Sequence, residues 1–164
     1  TIPHLETGAR FAVDRASLDQ AEAECVARHE EPEARVRCGV IVARNRAAHA
    51  CVDLSDGLAD GARQIGRASG TGVVIVAESV PIHGGARAWA GRTSIDPLAL
   101  AVRGGEDYEL LFAVAPRRRR TFLAAAGRCP GVSVTCVGRL TSEAGAWLRG
   151  PGGAVPLDEG FVHF

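Results

Sequence analysis

Two short acidic segments carry the residue types that metal and phosphate chemistry requires. In Asp53-Leu54-Ser55-Asp56-Gly57, two carboxylates stand three positions apart around a tight turn, with a hydroxyl between them. Carboxylates so placed can face one point, and oxygen is the donor Mg²⁺ prefers. The start of the following helix adds free N–H groups and a positive dipole end, which suit a phosphate. Ser and Asp are equally the commonest helix caps, so a purely structural role fits the same residues. The second segment, Gly104-Gly105-Glu106-Asp107-Tyr108-Glu109, runs three acidic side chains straight into Leu110-Leu111-Phe112. Acidic residues disfavour sheet and are expensive to bury. A binding site and a solvated loop both answer that pattern.

Other chemistries lack their residues. There is no Lys, so every basic side chain is Arg, which excludes a Lys phosphate clamp or a Schiff base. His4, His29, His49, His83 and His163 form no H-x-x-x-H pair, leaving no anchor for metalloprotease or Ser-His-Asp catalysis. Arg117-Arg118-Arg119-Arg120 fans around a helix start and reads as a solvated face. Five cysteines without C-x-x-C spacing make no disulfide framework. Cys25, His29, Cys38, His49 and Cys51 lie near one another in sequence, but their spacing matches no standard zinc finger, and thiols packed as small hydrophobes suit them better.

The elements that must position the two acidic segments can be read from periodicity. A helix is expected from Ser17 to about His29, and a second from Pro32 with Val36, Val40, Ile41 and Ala43 on its apolar side. Residues 50–76 read as strand, helix and strand, the helix running from Leu58 to a stop at Ser69-Gly70. A glycine- and arginine-rich loop is expected from His83 to Arg92, a short helix from Asp96-Pro97 to Val102, and an Arg-rich helix from 117 to 126. The C-terminal Gly/Pro-rich stretch shows no clear period. The fold class is α+β, a mixed β-sheet packed with α-helices, with strands near 50–54, 72–77, 108–114 and 132–138 in one sheet. Residues 1–20 read as a tail or the remnant of a preceding domain, and 21–164 as the domain proper.

Composition sets the remaining bounds. Length 164 suits about one domain. Hydrophobic residues at 46% and charged residues at 23% are globular values, and the formal net charge of zero argues against a nucleic-acid footprint. No apolar run reaches the ~20 residues of a membrane span, and no signal peptide opens the chain, so a cytoplasmic location is expected. The absence of Met predicts a trimmed or excised piece rather than an intact translation product.

Taken in order, Asp53-Leu54-Ser55-Asp56-Gly57-Leu58, Ala68-Ser69-Gly70 with Gly72-Val73, Asp96-Pro97-Leu98-Ala99-Leu100 and the string from Gly104 to Phe112 closely resemble the C-terminal domain of the thiamine-monophosphate kinases. That family belongs with aminoimidazole ribonucleotide synthase, selenophosphate synthetase and a hydrogenase-maturation dehydratase. Gly160-Phe161-Val162-His163-Phe164 is similar to the family's Gly-aromatic-Asp-His-Phe ending, and Pro32-Glu33-Ala34-Arg35-Val36 to its Arg-Pro-Glu-Pro-Arg-Val segment.

The resemblance implies transfer of the γ-phosphoryl of ATP to thiamine monophosphate, with Mg²⁺ between the phosphates. By position it makes Asp53 and Asp56 metal ligands, Ser55 an ATP-phosphate contact, and Glu106 and Phe161 contacts to the thiamine substrate. Val162 stands where the family has Asp, and the Arg-Pro-Glu-Pro segment is reduced to Glu31-Pro32-Glu33-Ala34. The family's N-terminal half, with most of its metal-binding aspartates, its other ATP contacts and its homodimer interface, has no counterpart in this sequence. The isolated chain is therefore expected to be inactive; a non-catalytic relative that kept only the fold is the alternative.

Overall fold

The computed structural model describes residues 18–157. The first helix, α1 (Gln20–Glu30), starts later than the periodicity suggests, because Asp19 takes the cap: its Oδ1 accepts from the Glu22 N–H at 2.8 Å, and its own N–H donates back to Glu22 at 3.1 Å. Next come α2 (Val36–Arg44), β1 (Ala50–Asp53), α3 (Leu58–Ser69), β2 (Gly72–Val76), α4 (Gly84–Thr93), α5 (Pro97–Arg103), β3 (Leu110–Ala113), α6 (Arg119–Ala126), β4 (Gly138–Thr141), β5 (Ala146–Gly150) and β6 (Gly153–Pro156). Asp96 caps α5 by accepting from the Leu98 N–H at 2.9 Å, with Pro97 in the first turn where its missing N–H costs nothing.

The class is α+β as expected, but the strands do not share one sheet. β1 and β3 form an antiparallel pair, while β2 lies in a separate four-stranded sheet of order β4-β2-β5-β6. In that sheet β2 runs antiparallel to β4 and parallel to β5, and β5 antiparallel to β6. Helix α3 touches strands of both sheets, so it works as a central layer rather than as a crossover within one sheet. Its face of Leu58, Ala59, Ala62 and Ile65 is buried, and it shares a core with Val73, Ile75, Val80, Val102 and Leu157. A second core joins α2 to α6 through Cys38, Val42, Ala47, Phe122, Ala125 and Cys129, where Phe112 meets Phe122 edge-on at 5.3 Å.

Three further expectations fail for physical reasons. The His83–Arg92 segment is the helix α4: the His83 side chain caps it, and Gly85 is small because α4 crosses α1 so closely that a Cβ there would lie 2.3 Å from the Ala21 carbonyl oxygen. Residues 132–137 form no strand: the Val76 N–H donates to the Val137 carbonyl at 2.8 Å, but the ladder with β2 begins only at Gly138. Helix α2 starts at Val36, not at Pro32. The C-terminal Gly/Pro-rich stretch, for which no element was expected, holds the β5–β6 hairpin, with Pro156 on its edge strand where a missing N–H is tolerated. Arg117 to Arg120 are exposed, as expected.

Candidate functional site

The two acidic segments meet. β1 pairs with β3 so that Asp53 stands opposite Leu110, and the pairing continues past the strand ends. The Leu54 N–H donates to the Glu109 carbonyl at 2.8 Å, the Tyr108 N–H to the Leu54 carbonyl at 3.2 Å, and the Glu106 N–H to the Ser55 carbonyl. The turn at 53–57 and the loop at 104–109 thus lie side by side, joined through backbone. Asp53 is exposed, whereas Ser55, Asp56 and Glu106 are half-buried. Capping does not explain the aspartates: Gly57 occupies the N-cap of α3, without a side-chain cap bond.

The loop backbone is held in conformations that L-residues avoid. Glu106 has φ +67° and Tyr108 φ +50°; each such residue costs on the order of 1–3 kcal/mol and persists only where surroundings hold it. The side chains that hold this loop come from α1 and from the segment that leads into α2. Arg35 grips Glu109 with two nitrogens, Nε to Oε2 at 2.9 Å and Nη2 to Oε1 at 2.7 Å, and reaches Glu33 through Nη1 at 2.9 Å. Its side chain is only 8% exposed, and the hydrogen bonds it donates to Glu109 hold its pKa above the usual arginine value. Arg28 adds a 3.3 Å contact to Glu109, and His29 Nε2 stands 3.6 Å from Glu106. A buried guanidinium needs its carboxylate, since removing the partner strands a charge.

Sequence reasoning gave Arg28 and Arg35 no functional role and found no partner for Glu109. The available signal was physical: three carboxylates entering a strand require a cation, and Arg35 lies in a segment already singled out for its family likeness. Phe161, and Val162 beside it, lie outside the described residues. The five Cys and His weighed for zinc go separate ways: Cys25 Sγ lies 3.0 Å from His83, Cys38 meets Cys129, and His29 faces Glu106.

Asp107 is the perturbed acid of the loop. Much of the residue faces solvent, yet protein crowds its carboxyl; desolvation first, then the nearby Glu109 charge, raises it to about 6 against a partial offset from His29. Its folded-state pKa thus lies above the unfolded one, so its protonated form favours folding below about pH 4, and that contribution is lost as pH rises through 6. In a sealed site the shift would correspond to ~3 kcal/mol; solvent contact leaves about 1 kcal/mol. Asp107→Asn is expected to stabilise the chain by about that amount at pH 7–8 and by nothing below about pH 4, read from urea midpoints at the two pH values. An equal gain at both would remove the titration as its cause.

As a metal site, Asp53 and Asp56 fit Mg²⁺ in donor type but not in number. Among the described residues, no three His, Cys, Asp or Glu side chains gather as a metal-holding group. A cavity of about 470 Å³ lies elsewhere, on the outer face of the four-stranded sheet beside Arg139, Trp147 and Arg149.

An α+β domain that joins an Asp-x-Ser-Asp-Gly turn to a Gly-Gly-Glu-Asp loop defines a class, and the family model "AIR synthase related protein, C-terminal domain" matches residues 5–148. The chain belongs to that family. Its relatives within it are kinases: it is 31% identical over 163 residues to the thiamine-monophosphate kinase of Rhodopirellula baltica, covering 98% of this chain and 51% of that protein. It is 32% identical over 168 residues to the enzyme of Escherichia coli K12, covering 97% and 49%. The solved structure described as AaThiL complexed with AMPPCP and TMP superposes with a TM-score of 0.71 at 27% identity, over 89% of this chain and 43% of that one. The chain spans about half the length of the curated relatives it matches.

Proposed function

We propose that this chain supplies the C-terminal part of an ATP-dependent thiamine-monophosphate kinase, with Asp53 and Asp56 toward Mg²⁺, Ser55 toward an ATP phosphate, and Glu106 and Phe161 toward the thiamine substrate. One observation carries the reading: backbone bonds hold the turn at 53–57 against the loop at 104–109, so Asp53, Ser55 and Asp56 share one edge with Glu106. The half-length match to thiamine-monophosphate kinases supports it, and so does the relative solved with AMPPCP and TMP. When bound, Mg²⁺ neutralises charge on the phosphates undergoing transfer. The chain's own residues supply position: Asp53 and Asp56 hold carboxylate oxygens at the end of β1, Glu106 offers an acceptor for an amino group of the substrate, and Arg35 fixes that loop through Glu109. Two carboxylates fill only part of an octahedral Mg²⁺ shell, so the remaining donors come from the phosphates and from the rest of the protein. No helix among the described residues is long and apolar enough to cross a membrane; we assign the whole protein to the cytoplasm, as a homodimer through its other half.

Positioning accounts for most of phosphoryl-transfer catalysis. The chain alone is therefore expected to form no thiamine diphosphate from ATP, Mg²⁺ and thiamine monophosphate, whereas the chain combined with its N-terminal half turns over. Robust activity of the chain alone would overturn the division of the site. A combined protein that binds ATP but forms no thiamine diphosphate would overturn the kinase assignment in favour of the non-catalytic relative.

A further inference from the structure

The second core contains a pair of sulfurs that packing alone does not require. Cys38 lies on α2 and Cys129 in the turn after α6; they are separated by 91 positions, and each is about 5% exposed. Their Sγ atoms stand 2.7 Å apart among Val42, Ala47, Phe122 and Ala125. The remaining polar contact of the pair is weak, Cys129 Sγ to the Ala125 carbonyl at 3.8 Å. The other cysteines are placed differently: Cys51 and Cys136 are exposed, and Cys25 sits beside His83. A disulfide joins its sulfurs at about 2.0 Å, so closing this pair needs the sulfurs to approach by about 0.7 Å.

We propose that Cys38 and Cys129 form a disulfide-forming pair, a two-electron oxidation site that staples α2 to the turn after α6. The oxidant is of the peroxide class, small and uncharged enough to enter a buried core on local opening. One sulfur attacks the O–O bond of hydrogen peroxide and becomes a sulfenic acid as the first water leaves; its neighbour then displaces the hydroxyl as the second water and completes the S–S bond. Two S–H bonds are lost, one S–S bond forms, and one peroxide is reduced to two waters. Burial, and then contact with Cys129, pushes the Cys38 thiol up to about 12, so the folded chain reacts slowly and oxidation is followed over hours. The staple has a place in the site: Arg35, which grips Glu109, immediately precedes α2, so closing the pair anchors the helix behind that clamp.

The test uses the reduced chain, incubated with hydrogen peroxide at pH 8, unfolded, alkylated and weighed. The expected product is two hydrogens lighter than the reduced chain before alkylation and carries three alkyl groups rather than five after it. Cleavage after arginine then yields Cys38–Arg44 linked to Cys129–Arg139, a link that survives Cys136→Ser and is lost in Cys38→Ser. Because Cys38→Ser sits in the core and can fail to fold, a second variant carries Ser at 25, 51 and 136, and both of its remaining thiols must disappear together. The oxidised form must also need more urea to unfold than the reduced one, since the link closes a long loop. A crosslink that maps to Cys51 or Cys136 overturns the proposal, as does peroxide-treated protein in which Cys38 and Cys129 remain alkylatable while exposed cysteines gain oxygen.

Discussion

In the protein reconstituted from this chain and its N-terminal half, Asp53→Ala or Asp56→Ala is expected to lower kcat for thiamine diphosphate formation by at least about a thousandfold. The fold is expected to remain intact. Asp53 is exposed at the end of β1, and Asp56 precedes the Gly57 that takes the N-cap of α3, so neither carboxylate is the cap of that helix. Removing the exposed Asp53 carboxylate therefore alters stability by about 1 kcal/mol or less, and removing that of half-buried Asp56 by about 1–2 kcal/mol. The loss follows from the electrostatics of the reaction: charge spreads over the transferring phosphoryl group, and an aspartate that holds a divalent cation against it acts mainly in the transition state. The check is kcat measured across a Mg²⁺ titration, alongside the urea midpoint of each variant. Activity within tenfold of the parent, with the metal saturating normally, would remove that residue from the metal site; a urea midpoint that falls further than these changes imply would assign it a structural role.

Much of the central architecture was legible in the sequence because it depends on local signals. The apolar run at Ala50–Asp53, the β-branched run at Val73–Val76, the stop at Ser69-Gly70 and the Asp96-Pro97 start each carry their cause within a few residues. The partition into two sheets was not legible. It depends on β1 choosing β3 and β2 choosing β4 and β5, and no local pattern encodes those choices, because these strands are only four or five residues long. Helix α4 was misread because Gly84 and Gly85 resemble a turn, whereas Gly85 answers a crossing with α1 that exists only in three dimensions. The acidic segments were visible as chemistry, but the Arg35–Glu109 clamp was not, since its partners are 74 positions apart. The resemblance named the roles; the fold supplies a physical reason for reading the two motifs jointly, since backbone bonds hold them side by side.

That reason depends most on one backbone position. Gly57 has φ +89° and ψ 170°, a region that L-residues scarcely enter, and a Cβ added there would lie 2.4 Å from the carbonyl oxygen of Gly104. The obstacle is main chain rather than the end of a flexible side chain, so no rotamer change relieves it. Gly57→Ala is expected to destabilise the chain by about 3 kcal/mol or more, combining the strain of that conformation with the clash. If the chain escapes by separating the two segments, the damage is local and specific. The Glu106 and Tyr108 amides, which donate to Ser55 and Leu54, then exchange hydrogen with solvent much faster, while the Val73 amide, bonded to Gly145 within the other sheet, keeps its protection apart from the common loss of global stability. A serine in place of Gly57 gives the same result, because the cost lies in the Cβ itself. Hydrogen exchange resolved at single amides, together with the urea midpoint, decides it. A variant that retains both the midpoint and the protection at Glu106 and Tyr108 would show that the turn and the loop do not depend on close backbone contact, and the shared edge on which the nucleotide and substrate assignments rest would lose its structural basis.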